Sequence, residues 1–186
     1  MAADGEQQLQ MLWPEERLTA PPSVRVPEGY ALRTFRTGDL EAYLDLAHAA
    51  GFEKFTAESV ADYMTRTLPG GFLLIEHGNT GHLTASAMAQ HVPDEMHPGG
   101  GVLGWVMARP EHSGRGLGTA VCAAVTARLL DAGYRRLYLK TDDSRLPALK
   151  TYLKLGWVPF LFAPDMEERW SRVCRKLEWE FEPAAE

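Results

Sequence analysis

An α/β fold on one mixed sheet, with helices on both faces, is what the sequence predicts. Three observations carry that expectation: hairpin-like apolar segments in the first half, a strand–glycine loop–helix–strand unit in the second, and helical periodicities closed by glycines between them. With 186 residues, 45% hydrophobic and 24% charged, the chain has the composition of an ordinary globular protein and the length of one domain.

Residues 1 to 28 read as an N-terminal extension, because "TAPPSVRVPEG" carries three prolines and a glycine and suits an extended connector. Leu12 and Trp13 are the residues able to pin it to the body. The main domain is expected over 29–163. "YALRTF" (30–35) alternates as a first strand, and "TGDLEAYLDLAHAAG" follows as a helix with Leu40, Tyr43, Leu44 and Ala47 apolar and Gly51 ending it. A second helix spans "AESVADYMTRTL" (57–68), closed by "PGG". "FLLIEHG" (72–78) and "HLTASAMAQHV" (82–92) flank "NTG" as a hairpin, and "VLGWVMARP" (102–110) is the next strand. A helix from about Leu117 to Ala132 presents Val121, Val125 and Leu129 on one face and stops at Gly133. "RLYLKT" (136–141) is a strand, residues 144–155 a helix capped by Asp143 or Ser144, and "WVPFLF" (157–162) a last strand. Residues 164–186 form a terminal helix, "DMEERWSRVCRKL", and a tail.

Composition narrows the function. The net charge of −6 argues against a nucleic-acid binder. No stretch approaches the roughly 18 apolar residues of a membrane span, and the polar, acidic N-terminus does not resemble a signal peptide. Cys122 and Cys174 lack metal-ligand spacing and read as free buried thiols, so a cytoplasmic protein without a metal is expected. Residues 109 to 154 hold nine Lys/Arg against four Asp/Glu, leaving the remainder strongly acidic. That segment is either a solvated basic face or a local site for a polyanion, with acidic surroundings that would favour a cationic second substrate.

"HSGRGLGTAV" (112–121) offers such a site. Unpaired N–H groups at the helix start, the helix dipole, glycines without a Cβ and Arg115 together suit a phosphate. A P-loop fails for want of its lysine, and the dinucleotide fingerprint fits poorly because its sixth position is Thr119 and too little chain follows Asp142. The third candidate is coenzyme A, whose diphosphate would sit on the helix N-terminus.

Residues 102–120 resemble the acyl-CoA-binding motif of the GCN5-related N-acetyltransferase (GNAT) superfamily, whose pattern is Arg or Gln, two residues, Gly, one residue, Gly or Ala. Here it reads Ser113-Gly114-Arg115-Gly116-Leu117-Gly118, with Ser113 at the Arg/Gln position. In register downstream, "ALKTYLKLGW" (148–157) resembles a second family segment, with Arg145 where the family often has Asn. The resemblance covers about residues 29–163 in element order. It implies a central sheet with two splayed parallel strands, acetyl-CoA as cosubstrate, and direct attack of a small-molecule or peptide amine on the thioester. It further implies that Met107, Ala108 and Arg109 hold the pantetheine arm, that an N–H near Met107 polarises the carbonyl, and that Ser113, Gly114, Arg115, Gly116, Leu117, Gly118 and Thr119 hold the diphosphate. Tyr152 becomes the acid for the departing thiolate, although its spacing with Leu149 and Leu153 also fits a core position. Trp105 would line the acceptor pocket or the core. Glu76, His91 and Asp142 are the candidates for a general base. The family ends in a β-hairpin; this chain's final helix would instead cover the sheet edge, shape the acceptor site or build a homodimer contact. A CoA-binding sensor or interaction module, and transfer to oxygen, stay open as alternatives.

Overall fold

The computed structural model describes residues 7–183. Residues 1–6 of the extension and 184–186 of the tail lie outside the described residues. In chain order the elements are β1 (Leu9–Leu12), β2 (Tyr30–Thr34), α1 (Leu40–Ala49), α2 (Ala57–Arg66), β3 (Thr67–His77), β4 (Leu83–His91), β5 (Gly101–Ala108), α3 (Leu117–Asp131), β6 (Leu137–Thr141), α4 (Leu146–Leu155), β7 (Val158–Phe160) and α5 (Met166–Leu177). They form one seven-stranded sheet in the order β2-β3-β4-β5-β6-β1-β7. The pairing is antiparallel except between β5 and β6.

Period-two alternation sorts the sheet's side chains onto two cores. On β3, Leu73 and Ile75 face one core while Phe72 and Leu74 face the other. The first core is closed by α3, α4 and α5, and the second by Tyr43, Leu46 and Ala47 of α1 with Val60 of α2. Ala85, Ala87 and Ala89 of β4 lie beneath α3, itself rich in buried alanines, and small residues on both sides let the helix sit close. Helices on both faces, as expected from the sequence, are thus a product of strand alternation.

The extension does more than pin itself to the body. Its residues Leu9–Leu12 form a strand inside the sheet, antiparallel to β6 on one side and β7 on the other. Leu9 and Met11 are fully buried, and Trp13 packs edge-on against Trp157 with centroids 5.5 Å apart. Among the described residues α5 follows β7 where the resembled family has a terminal hairpin, and this N-terminal strand lies between β6 and β7. Several boundaries also shift. "PGG" (69–71) lies within β3, which starts at Thr67 and carries a register shift before Phe72. Neither Asp143 nor Ser144 caps α4: Arg145 holds the N-cap position with no side-chain cap bond, and the Asp143 carboxylate accepts instead from Arg169 Nε at 3.1 Å and Nη2 at 2.5 Å. The ionic partner on α5 outcompetes the cap. Cys122 and Cys174 are free and buried, and no described helix is long and apolar enough to cross a membrane.

Two strands part where the site lies. β5 and β6 pair only at Gly101↔Leu137 and Val102↔Tyr138, so β5 runs on to Ala108 with its β6-facing edge unpaired. A bulge in β5 opposite Ser86–Met88 helps the strands separate, and Trp105 there adopts φ 52°, an uncommon conformation for a bulky residue.

Candidate active site

The opening between β5 and β6 leads into a cavity of about 650 Å³ that runs from the glycine loop to Tyr152. Loop, strand and helix each contribute. Gly114 (φ 75°) and Gly116 (φ 81°) occupy the left-handed region, and Gly116 is the N-cap of α3. These glycines are demanded by backbone conformation, since a Cβ at either would meet nothing. Gly118 is different: it is helical, a Cβ would again meet nothing, and its bare backbone forms cavity wall. Replacing Gly118 with Ala therefore leaves the fold as stable or up to about 1 kcal/mol more stable, by helix propensity. The added methyl projects at the cavity wall, and the expected result is acetyl-CoA affinity lowered on the order of tenfold, measured by calorimetric titration beside thermal unfolding. Gly116→Ala loses roughly 1–2 kcal/mol of stability instead, because Ala is forced into φ > 0.

Of the sequence-predicted residues, Met107, Ala108, Arg109, Ser113, Gly114, Gly116, Leu117, Gly118, Thr119 and Tyr152 all line this cavity. Arg115 does not. It borders a smaller neighbouring pocket of about 370 Å³ with Arg25 and Val26 of the extension. Arg109 donates from its side chain to the Leu83 carbonyl at 2.8 Å and pairs with Asp45.

Ladder geometry sharpens the backbone assignment. Arg109 N–H donates to the Thr84 carbonyl at 2.9 Å, making these two a hydrogen-bonded pair. By antiparallel alternation Ser86 and Met107 are the next such pair, and Met107 directs its N–H and C=O at β4. Ala108, opposite Ala85, directs its N–H to the other side, toward the splay. The Val106 carbonyl faces the same way, because it accepts from Arg145 Nη2 at 3.0 Å. The N–H available at the opening is thus that of Ala108, one residue on from the position indicated by the resemblance.

Tyr152 is 3% exposed, as its core spacing predicts, and is also part of the cavity wall. Burial pushes its phenol far up, with Cys122 adding to the rise and Arg145 opposing it. The phenol is therefore neutral across the working pH range. The three base candidates stand elsewhere. Glu76 accepts from Arg33 at 2.6 Å, His91 is bonded to Tyr134 at 2.8 Å, Asp142 accepts from Gln8 at 3.0 Å, and none lines the cavity. His112, bonded to the Tyr30 hydroxyl at 2.7 Å, does line it, at the glycine-loop end. Trp105 sits in an aromatic cluster with Phe52, Phe55 and Tyr63, its ring centre 4.1 Å from that of Tyr63. Arg145, Lys150 and Thr151 are lining residues that the sequence did not single out as ligands. Arg145 was visible only as a departure from a motif.

A strand–glycine loop–helix unit at one end, a backbone edge at the opened strand, and a buried phenol beyond thus share one cavity. The acetyltransferase (GNAT) family matches residues 37–157, and the chain belongs to that family. Among relatives, it is 31% identical to the mycothiol acetyltransferase of Streptomyces bingchenggensis over 159 residues (80% of this chain, 49% of that protein). It is 32% identical to that of Thermobispora bispora over 171 residues (84% and 56%). The chain thus spans about half the length of these relatives. Among solved structures, a GCN5-related N-acetyltransferase from Sphaerobacter thermophilus superposes with a TM-score of 0.67 at 26% identity, covering 83% of this chain and 49% of that one. The ribosomal-protein-S18-alanine N-acetyltransferase of Escherichia coli shares the fold at TM-score 0.56 and 23% identity (68% and 76%).

Proposed function

We propose that this chain moves an acetyl group from acetyl-CoA to an amine by direct attack on the thioester, in the cytoplasm and without a metal. The observation that supports it most is the single cavity joining the glycine loop to Tyr152 along the unpaired edge of β5. In that reading the loop N–H groups and the start of α3 hold the diphosphate, and the Ala108 N–H bears on the carbonyl oxygen as charge grows there. The amine nitrogen bonds to the carbonyl carbon, the carbon–sulfur bond breaks, and Tyr152 gives its proton to the departing sulfur. The nitrogen releases its own proton to solvent, which restores the phenol.

No described carboxylate lines the cavity, so a cationic acceptor gains no support from the lining. The relatives' names make mycothiol-related amines the first acceptors to offer. The distance of Glu76, His91 and Asp142 from the cavity favours one other reading, a CoA-binding module with little catalysis. Thermal unfolding with acetyl-CoA, and with NADH as control, separates these. Acetyl-CoA at 100-fold over its Kd raises stability by roughly 2.7 kcal/mol and NADH does not. Binding with acetyl transfer to an amine supports the enzyme; binding with transfer to none supports the module; no binding overturns both.

A further inference from the structure

Arg145 is one of the charged residues of the cavity wall, with Arg109, Lys150 and Lys154, that the reaction above does not use. It precedes α4, whose second turn carries Tyr152, and both side chains line the same cavity. Its guanidinium is fixed from two directions: Nη2 donates to the Val106 carbonyl at 3.0 Å, and the Cζ atom lies 5.1 Å from the centre of the Phe52 ring. Among the described residues no carboxylate pairs with it. Its contacts with Val106 and Phe52 put it at the end of the cavity where the acyl-transfer reading sets the thioester, with Ala108, Arg109 and the turn at Pro110 between it and the glycine loop. The diphosphate of a bound CoA therefore does not account for its charge.

Resting on the acyl-transfer reading, we propose that Arg145 is a catalytic electrostatic group, a pinned cation that stabilises the negative charge passing from the leaving sulfur to the Tyr152 oxygen. When the carbon–sulfur bond breaks, the electron pair goes to sulfur. The Tyr152 proton then moves onto sulfur, and the charge resides on the phenolate until the proton lost by the acceptor nitrogen returns through solvent. A phenolate is costly in so buried a position, and a fixed cation within electrostatic reach offsets that cost without reorganising. The same relation is felt at rest, where Arg145 opposes the upward push of burial on the Tyr152 phenol. Lysine on a flexible stem would supply the charge without the planar guanidinium that bonds the Val106 carbonyl through Nη2 while lying by the Phe52 ring.

The test is steady-state kinetics of Arg145→Gln, Arg145→Lys, Tyr152→Phe and the Gln/Phe double variant, with acetyl-CoA affinity measured by titration. Arg145→Gln is expected to lower kcat by about 10- to 100-fold at near-parental acetyl-CoA affinity, with Arg145→Lys recovering part of the loss. In the Tyr152→Phe background the same change has an effect of about threefold or less, because the charge it serves no longer reaches the phenol. The proposal is overturned by an unchanged kcat, by a loss confined to the acceptor KM, or by an undiminished effect in the Phe background. Should Arg145→Gln not fold, Arg145→Lys decides: a reduced kcat at parental affinity supports the proposal, and an affinity loss with unchanged kcat overturns it. A parent protein that binds acetyl-CoA yet transfers to no amine overturns the acyl-transfer reading itself, an outcome distinct from all of these.

Discussion

Tyr152→Phe is expected to lower kcat by about 10²- to 10⁴-fold, the range for loss of a positioned general acid, while acetyl-CoA affinity changes little. The substitution removes one oxygen and keeps the ring that packs among Leu149, Leu153 and Cys122 in the first core. No described side chain is hydrogen-bonded to that hydroxyl, so its loss leaves no named partner unsatisfied and the fold has little reason to move. Burial pushes the phenol far above its ordinary value, so it is protonated at every working pH, while giving up that proton needs charge stabilisation nearby. The rate of the parent is therefore expected to show no basic limb from this group. Single-turnover acetyl transfer, set beside titration with acetyl-CoA, checks the prediction. Equal losses in rate and affinity would mean that Tyr152 is wall and not acid.

How far this site was legible in the sequence follows from what each residue does locally. Gly114 and Gly116 announced themselves because left-handed φ values admit few other residues, whereas Gly118 is helical with room for a Cβ and stood out only by its place in the pattern. Tyr152 carried two readings at once, acid and core, and its place in both the core and the cavity wall leaves room for each. Strand β1 was hidden. "LQML" is four residues long beside a proline-rich connector, and its partners β6 and β7 lie more than 120 residues away. Local propensity says nothing of such pairing. The cap on α4 misled for a related reason: Asp143 suits an N-cap by type, but Arg169, 26 residues on, takes it. The Ala108 N–H could not be chosen over that of Met107 until the register against β4 was known, since one residue of slip reverses every backbone group.

The N-terminal strand also brings a pH dependence that the sequence does not display. His97 is fully buried, its ring stacked on Tyr138 with centroids 3.9 Å apart. Arg136 Nε–H donates to its Nδ1 at 3.1 Å, which leaves the proton on Nε2, and that N–H donates to Gln10 Oε1 of β1 at 2.6 Å. Burial first, and the Arg136 charge second, hold the imidazole down at about 4, against an ordinary value of 6.5. Above pH 6.5 the ring is neutral in the folded and unfolded chain alike, and the fold keeps its full stability. As the pH falls below 6.5 the unfolded chain takes up a proton that the folded chain refuses until about pH 4, so stability is lost across that window. The loss amounts to about 3 kcal/mol at its lower end. His112, also depressed by burial, adds a loss of the same sign. Asp39, held low chiefly by Arg33, and Asp94, held low against burial by the His97 N–H and Lys140, give way at still lower pH. Urea unfolding at pH 7.5, 6, 5 and 4.5 measures the slope, and His97→Gln, neutral throughout, should flatten most of it. A slope unchanged in that variant would mean that the clasp between β1 and the loop before β5 does not resist protonation.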